Sequence, residues 1–403
     1  MSVAYFLSRR HTVTLFERED RLGGHTHTIP VAAAEGSIPI DTGFIVHNRR
    51  NYPNLTRLFA ELGVATQPSD MSFSVTSTPR GFEWSSRAPI ELALRSANPF
   101  DAAWSGFLGE IIRFNRAARR LLDRPEPDTL TLSEFLRREG FSARFEDQYL
   151  LPLASAVWST NLERVAEFPA ATLVRFFQNH GFLGIFTQAK WRTVTGGSAT
   201  YIAPLTAPYR ERVVLSARLD RVLRDADGVT VRAQGRPEER FDEVVFACHG
   251  DEVLPVLADA TTQEKQVFWS FRTIRNSAVL HTDTSVLPRR RKAWASWNYR
   301  RIAGERRRVC VTYHMNRLQR LPTREDYCVS LDAEGLVDES RVLRRLVYDH
   351  PLFTRDAVAA QRRWSQVSGM NRTHYCGAYW GYGFHEDGLN SALRVAERLG
   401  VSW

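Results

Sequence analysis

The sequence predicts an α/β fold in which a discontinuous parallel-sheet domain is interleaved with an α+β domain. Three observations carry this reading. The chain has 403 residues, and at roughly 150 residues per domain that length suits two joined domains better than one. It opens on a helix, a short turn and a buried apolar strand, which together are half of a βαβ unit. A long helical region follows, and strand signals return after Gly196-Gly197 with no repeat and no low-complexity linker between them.

The elements follow in order. Residues 3–10 place Val3, Phe6 and Leu7 on one helical face, and His11-Thr12 break the pattern. Val13-Thr14-Leu15-Phe16 is a short strand ended by Glu17, and Arg21-Leu22-Gly23-Gly24 is a tight turn. Residues 38–44 read as a strand entering a loop. Residues 53–62 form a helix with Leu55, Leu58, Phe59 and Leu62 on one face. Residues 100–190 are mostly helical, with an apolar stripe at Phe107, Ile111, Ile112 and Phe114 and connections at Pro125, Pro127, Pro152 and Pro169. Strands are expected at 213–215, 222–223 and 229–231, the last two joined by an Asp225-Ala226-Asp227-Gly228 hairpin turn. Residues 244–247 are another buried strand, and 277–282, 294–299 and 308–314 belong to a second sheet. A glycine-rich loop at 377–383 precedes a helix over 387–399. The first domain is thus expected in three parts, 1–65, 191–252 and 369–403. The second holds a helical insert at 66–190 and a sheet with helices at 253–368.

Composition narrows the class. Apolar residues make up 43% and charged residues 25%, as in a globular protein, which excludes a disordered, collagen-like or disulfide-scaffold chain. No apolar run is long enough to span a bilayer. The apolar Met1-to-Leu7 stretch precedes Arg9-Arg10, the reverse of a secretory signal. The four Cys, at 248, 310, 328 and 376, show no CxxC pair and no Cys/His ligand spacing, so no metal site is expected. The expected compartment is cytoplasmic. The net charge is +9, and all but three of the 54 basic residues (Lys190, Lys265 and Lys292) are Arg. Runs such as Arg289–Lys292 and Arg306–Arg308 read as solvated loops, with peripheral contact to an anionic membrane surface as the sharper alternative and no nucleic-acid partner.

The strongest signal is Glu17-Arg18-Glu19-Asp20-Arg21-Leu22-Gly23-Gly24. In dinucleotide-binding folds an acidic residue ends the second strand and bonds ribose hydroxyls, and a glycine-rich turn lies about 20 residues earlier. Counting back from Glu17 reaches about position −3, and no GxGxxG occurs elsewhere. The chain is therefore expected to be N-terminally truncated, with its first helix the one whose N-terminus faces the pyrophosphate. Alone, Glu17 would be an exposed carboxylate ending a strand; Arg21-x-Gly-Gly beside it makes the turn a binding element.

Glu-x-x-x-Arg-x-Gly-Gly after a βα unit resembles the flavin-dependent amine oxidase and phytoene desaturase superfamily. The likeness runs through nearly the whole chain. Asp242–Cys248 resembles the strand returning to the flavin domain, and Gly377 with Gly381-Tyr382-Gly383-Phe384-His385-Glu386-Asp387-Gly388 resembles the C-terminal flavin motif. Residues 21–28, 41–46, 191–198 and 381–388 are similar, more narrowly, to a bacterial "NAD/FAD-binding protein" subgroup. Related flavin domains occur fused to cyclopropane fatty acid synthases.

The resemblance implies a discontinuous Rossmann-like FAD-binding domain, an interleaved α+β substrate domain, and FAD as cofactor. Glu17 would bind ribose, and Arg21, Gly23 and Gly24 would line the pyrophosphate and isoalloxazine side, where small residues allow close backbone approach. Leu219, past a kink at Ala217, would clamp the adenine through its backbone. Gly377 would approach the ribityl-phosphate chain, with Gly383 nearby. The amides of Asp387, Gly388 and Leu389 would open the last helix toward the flavin N1/O2 edge.

There are departures. Amine oxidases of this superfamily carry a strand lysine water-linked to flavin N5, and the comparable strand here, Ala278–Asp283, has none. The amine-selecting aromatic cage is only partly present: Phe384 occupies one cage position, with Tyr379, Trp380 and Tyr382 nearby. His281 is a proton-relay candidate or a strand histidine bonded to backbone. His47 with Asn48 faces the flavin or is loop polarity. Asn298, Trp158, Tyr313 and His314 are weaker candidates, and His385-Glu386 has no partner spaced for zinc. The expected activity is FAD-dependent removal of hydride from a C–H bond, dehydrogenating or desaturating a small apolar or lipid-like, fatty-acyl, substrate. That preference comes mainly from the related fusions. The alternatives are an amine oxidase in the strict sense and a non-catalytic remnant lacking the phosphate loop.

Overall fold

The computed structural model describes residues 1–77, 82–86, 102–123, 130–158, 162–179, 183, 189–302 and 309–403. Arg306–Arg308, Pro125, Pro127 and the side chains of Phe107 and Trp158 lie outside the described residues. The fold is mixed α/β, as expected, with two large apolar cores.

The first core belongs to the nucleotide-type domain. Its parallel pairs come from distant segments: Leu15–Phe16 with Val213–Val214, and Val244–Phe246 with Thr373–Tyr375. The first helix, Ser2–Leu7, buries Val3, Ala4, Phe6 and Leu7. The C-terminal helix, His385–Arg398, buries Leu389, Ala392, Val395 and Ala396 in the same core. Pro53–Glu61 adds Leu55, Leu58 and Phe59. Leu219–Arg224, Val229–Ala233 and Glu239–Phe241 form an antiparallel meander. Its first turn falls at Asp225–Gly228, where the Asp225 carboxylate accepts the Asp227 and Gly228 amides at 2.8 and 2.9 Å.

The second core lies under a seven-stranded sheet. The strand order is Val342–Pro351, Thr273–His281, Cys328–Leu331, Val309–His314, Trp297–Arg301, Phe73–Ser77 and Phe82–Ser85. Only Trp297–Arg301 with Phe73–Ser77 is parallel. Ala278, Leu280, Val311, Tyr313 and Val329 alternate onto one face, as a pleated strand requires. They share a core with Phe114, Phe135, Phe145, Leu173 and Phe176 of the helices.

Some expectations shift. The first helix ends at Leu7, not residue 10, and the last begins at His385, two residues early. On the helix Ala102–Leu122 the buried stripe is Phe114, Ala117, Ala118 and Leu121, while Ile112 is exposed. Four strands of the large sheet were not expected: Phe73–Ser77, Phe82–Ser85, Cys328–Leu331 and Val342–Pro351. Val342–Pro351 is an edge strand with exposed Arg344 and Arg345, so its alternation carries little apolar signal.

Candidate flavin site

The four segments of the subgroup resemblance meet in one place. The loop after Phe16 turns at Gly23 and Gly24, both with positive φ (+115° and +54°). A Cβ on Gly23 would lie 2.5 Å from the Thr26 carbonyl, whereas a Cβ on Gly24 would meet nothing within 4 Å. Gly23 is thus glycine for the turn's own packing, and Gly24 presents open backbone on its other side. Arg21 donates to the Gly24 carbonyl at 2.9 Å and braces the turn.

Thr26 bonds the Tyr201 hydroxyl and, at 3.2 Å, His385 Nε2. His385 stacks on Phe44 with ring centroids 3.9 Å apart. Asp41 is fully buried and accepts from Thr28 Oγ1 at 2.5 Å, from the Ser198 amide at 2.8 Å and from Ser198 Oγ at 2.9 Å. Gln319 of the second domain also donates to it, at 3.2 Å. Burial outweighs these donors and raises the Asp41 carboxyl to about 6. The Asp-Thr-Gly and Gly-Gly-Ser segments are therefore one clamp across the chain.

At the C-terminal motif each acidic residue has a task of its own. Glu386 accepts the Asn54 and Leu55 amides, both at 2.9 Å, and so caps the helix Pro53–Glu61. Asp387 accepts the Phe384 amide at 2.9 Å, and burial raises its carboxyl to about 6. Gly388 donates its N–H to the Phe384 carbonyl at 3.1 Å. The orphan amides of this helix are those of its first turn, His385 to Asp387. Of the three amides expected to face the cofactor, Asp387 is in that turn, and Gly388 and Leu389 lie one step deeper.

The remaining expected cofactor residues are distributed around this centre. Glu17 is half-buried at the strand end, and its Oε1 accepts the Glu19 amide at 3.0 Å. Ala217 donates to the Glu17 carbonyl at 2.8 Å, and Ser216 has φ +53° there. This kink precedes Leu219, which opens the strand Leu219–Arg224. Gly377 donates to Ser391 Oγ at 2.8 Å, and a Cβ on it would lie 2.4 Å from the Tyr379 ring. Gly383 packs against Phe353.

The expected catalytic candidates separate. Phe384 caps the last helix and stacks on Phe176 at 4.9 Å, with Tyr382 also against Phe176 at 6.2 Å. Tyr379 and Trp380 turn instead into the first core against Phe271. His47 is buried against Phe59, with its pKa lowered to about 4 by burial and by Arg192. His281 and Asn298 are engaged by neighbours of their own sheet. His281 accepts the Asp283 amide on Nδ1 and bonds Ser330 through Nε2, at the end of its strand remote from the flavin loop. Asn298 accepts from Ser74 and the Ala295 amide and donates to the Ala295 and Thr312 carbonyls, so every polar valence holds its own sheet together. His314 Nε2 is hydrogen-bonded to Asp326 Oδ1 at 2.9 Å.

A histidine cluster stands at the junction of the two domains, and only its loop member lies in a segment the sequence singled out. His25 lies 5.0 Å from His350, 5.1 Å from Tyr348 and 6.2 Å from His249, ring centroid to ring centroid. Tyr348 also bonds Thr42 Oγ1 at 2.6 Å and His27 Nδ1 at 3.0 Å, fastening the edge strand to the loop. Tyr348 and His350 sit on the unread strand, which is why no motif announced them. Among the described residues no group of His, Cys, Asp and Glu is arranged to hold a metal.

Residues 1–348 match the family described as flavin-containing amine oxidoreductase. The chain belongs to that family. It is an FAD-dependent oxidoreductase of the amine oxidase-like class, and FAD is its cofactor. No curated protein matches the chain. Among solved structures it is similar to the cyclohexylamine oxidase of Brevibacterium oxydans IH-35A, at 16% identity and a TM-score of 0.70, covering 99% of this chain and 97% of that one. It is also similar to the CLA-producing fatty acid isomerase of P. acnes, at 14% identity and a TM-score of 0.71, covering 99% and 96%. At such identities the likeness is one of fold. The residues fit the cofactor at three points: the open side of Gly24, the first-turn amides of His385–Asp387, and the buried, unpartnered Nε2 of His25. No helix among the described residues is long and apolar enough to cross a membrane.

Proposed function

We propose that this flavoenzyme dehydrogenates or desaturates an apolar, fatty-acyl substrate by removing hydride from a C–H bond. The observation that carries the reading is the absence of lysine where the two domains meet. The chain has three lysines. Lys265 is on the helix Thr262–Phe268, Lys292 is in the turn Arg291–Ala293, and Lys190 is exposed. The sheet edge against the flavin loop carries Asn276, Tyr348 and His350 instead. FAD, when bound, supplies the hydride acceptor. The chain's residues do the rest. Phe384, Tyr382 and Phe176 form an aromatic wall that favours apolar groups and excludes water. The first-turn amides of His385–Asp387 hold negative charge at a helix N-terminus.

The similarity in fold to a fatty acid isomerase supports the substrate class, and the cyclohexylamine oxidase likeness favours a strict amine oxidase as the rival. Mass analysis of products separates them. A desaturase yields the acyl chain lighter by two hydrogens with its heteroatoms intact, whereas an amine oxidase yields a carbonyl compound and releases ammonia. Ammonia from a primary amine, with acyl chains unchanged, would reverse the assignment.

A further inference from the structure

We infer that His25 and His350, with His249 beside them, form a proton-accepting site whose occupancy is coupled to FAD binding, with up to one proton entering as the anionic cofactor seats. The inference rests on the flavin placement above, and not on the identity of the substrate. Three observations support it. The rings are neighbours, His25 standing 5.0 Å from His350 and 6.2 Å from His249. His25 Nε2 is buried with no hydrogen-bond partner, on the loop whose Gly24 leaves open space. A buried unpaired nitrogen is costly unless a ligand completes it.

The charge around His25 is one-sided. The groups that face it are His350, His249, His385, Arg21 and the neutral phenol of Tyr348. His350 is faced by His249 and by Asn276, whose Nδ2 donates to His350 Nδ1 at 2.8 Å and so leaves Nε2 as the protonated nitrogen. Two carboxylates stand near His249. Asp251 takes the Thr273 amide at 2.9 Å and hydroxyl at 2.7 Å on Oδ2, with Oδ1 buried and without a hydrogen-bond partner among the described residues, and Glu252 takes Arg18 at 2.5 Å and the His249 amide at 3.0 Å. The charges that face His25 and His350 are imidazoles and Arg21, so these two rings are complementary to an anion, and FAD carries its negative charge on the pyrophosphate.

Without an anion, burial and then the neighbouring imidazoles hold His25 well below its ordinary range and His350 at about 4, so both are neutral at pH 7. An anion alongside raises an imidazole pKa by roughly one to three units. The bound-state value then exceeds the free-state value, and affinity is greatest at low pH and falls as pH rises through the bound-state pKa.

Calorimetric titration of the protein with FAD at pH 6.5, in phosphate and in Tris, reads the proton count directly from the difference in heat between buffers. At the upper end of that shift His350 rises from about 4 to roughly 6.5–7, so we expect uptake of about half to three-quarters of a proton, and a Kd some four- to tenfold weaker at pH 8 than at pH 6. His25→Gln and His350→Gln should each bring the uptake toward zero, an effect that loss of packing alone would not produce. Should those variants fail to fold, imidazole ¹⁵N shifts of the wild-type protein with and without FAD replace them, and a newly protonated His25 or His350 is expected. FAD binding without proton uptake, or His25 and His350 imidazoles that stay neutral at saturation, overturns the inference while leaving the flavin site standing. Absence of FAD binding at every pH overturns both.

Discussion

Glu17 carries the most specific prediction at the level of single residues. Its carboxylate ends the first strand, accepts only the Glu19 amide internally and sits beside the Ala217 kink. Losing charge-assisted bonds to ribose hydroxyls should cost about 1.5–3 kcal/mol, roughly 10- to 150-fold in affinity. Glu17→Ala should therefore weaken FAD binding, read by fluorescence titration, and leave the thermal midpoint in place. Equal affinity would make Glu17 a strand-end surface charge. The two glycines of the turn should behave differently. Gly23→Ala drives a Cβ into the Thr26 carbonyl and should disrupt the loop. Gly24→Ala finds free space at φ +54°, should cost about 1 kcal/mol of backbone strain, and should still reduce FAD affinity. A Gly24→Ala protein with undiminished FAD binding would show that the open side of Gly24 does not face the cofactor. Asp41 supplies a pH test. Its folded pKa is raised to about 6 from an ordinary 3.8, so its contribution to stability is complete below about 4 and is lost as pH rises through about 6. The stability difference between wild type and Asp41→Asn, followed by denaturant titration, should shift against the wild type across that window. A difference that moves the other way would mean that the donors around Asp41 outweigh its burial.

Among the elements, the C-terminal helix His385–Arg398 does the most to connect distant parts of the chain. Glu386 holds the start of Pro53–Glu61, His385 holds the Gly-Gly-His-Thr loop through Thr26, and Phe384 reaches Phe176. Glu386→Ala leaves two helix-start amides without their acceptor and should destabilise the protein by about 1–2 kcal/mol in urea. No change in the urea midpoint would show that water replaces the cap. The sequence made this helix and its motif visible, because periodic Leu389, Ala392, Val395 and Ala396 follow a glycine-rich turn. It did not show the division of labour within His-Glu-Asp, since the partners of Glu386 lie more than 300 residues away along the chain. Val244–Phe246 is legible as a strand because its apolar residues run together. Val342–Pro351 is not, because arginines on an edge conceal the pleat, and Tyr348 and His350 are hidden with it. His281 stands on an expected strand, but only the register of Ser330 beside it shows that its nitrogens are already engaged.

For the whole molecule, two cores built from interleaved segments bring the glycine-rich loop against the edge of the seven-stranded sheet. Membership of the flavin-containing amine oxidoreductase family and the glycine-rich motifs were legible from residues; the lack of a lysine on the strand Ala278–Asp283 was legible too, and its consequence is chemical. On the proposed reading, the missing lysine and the wall of Phe176, Tyr382 and Phe384 favour an apolar chain over an ammonium group. Anaerobic mixing of the FAD-loaded protein with a panel of long-chain acyl compounds and primary amines, following flavin absorbance, tests this most directly. The account predicts that acyl compounds bleach the flavin while simple amines do so slowly or not at all. Rapid bleaching by a primary amine, with every acyl compound inert, would contradict it.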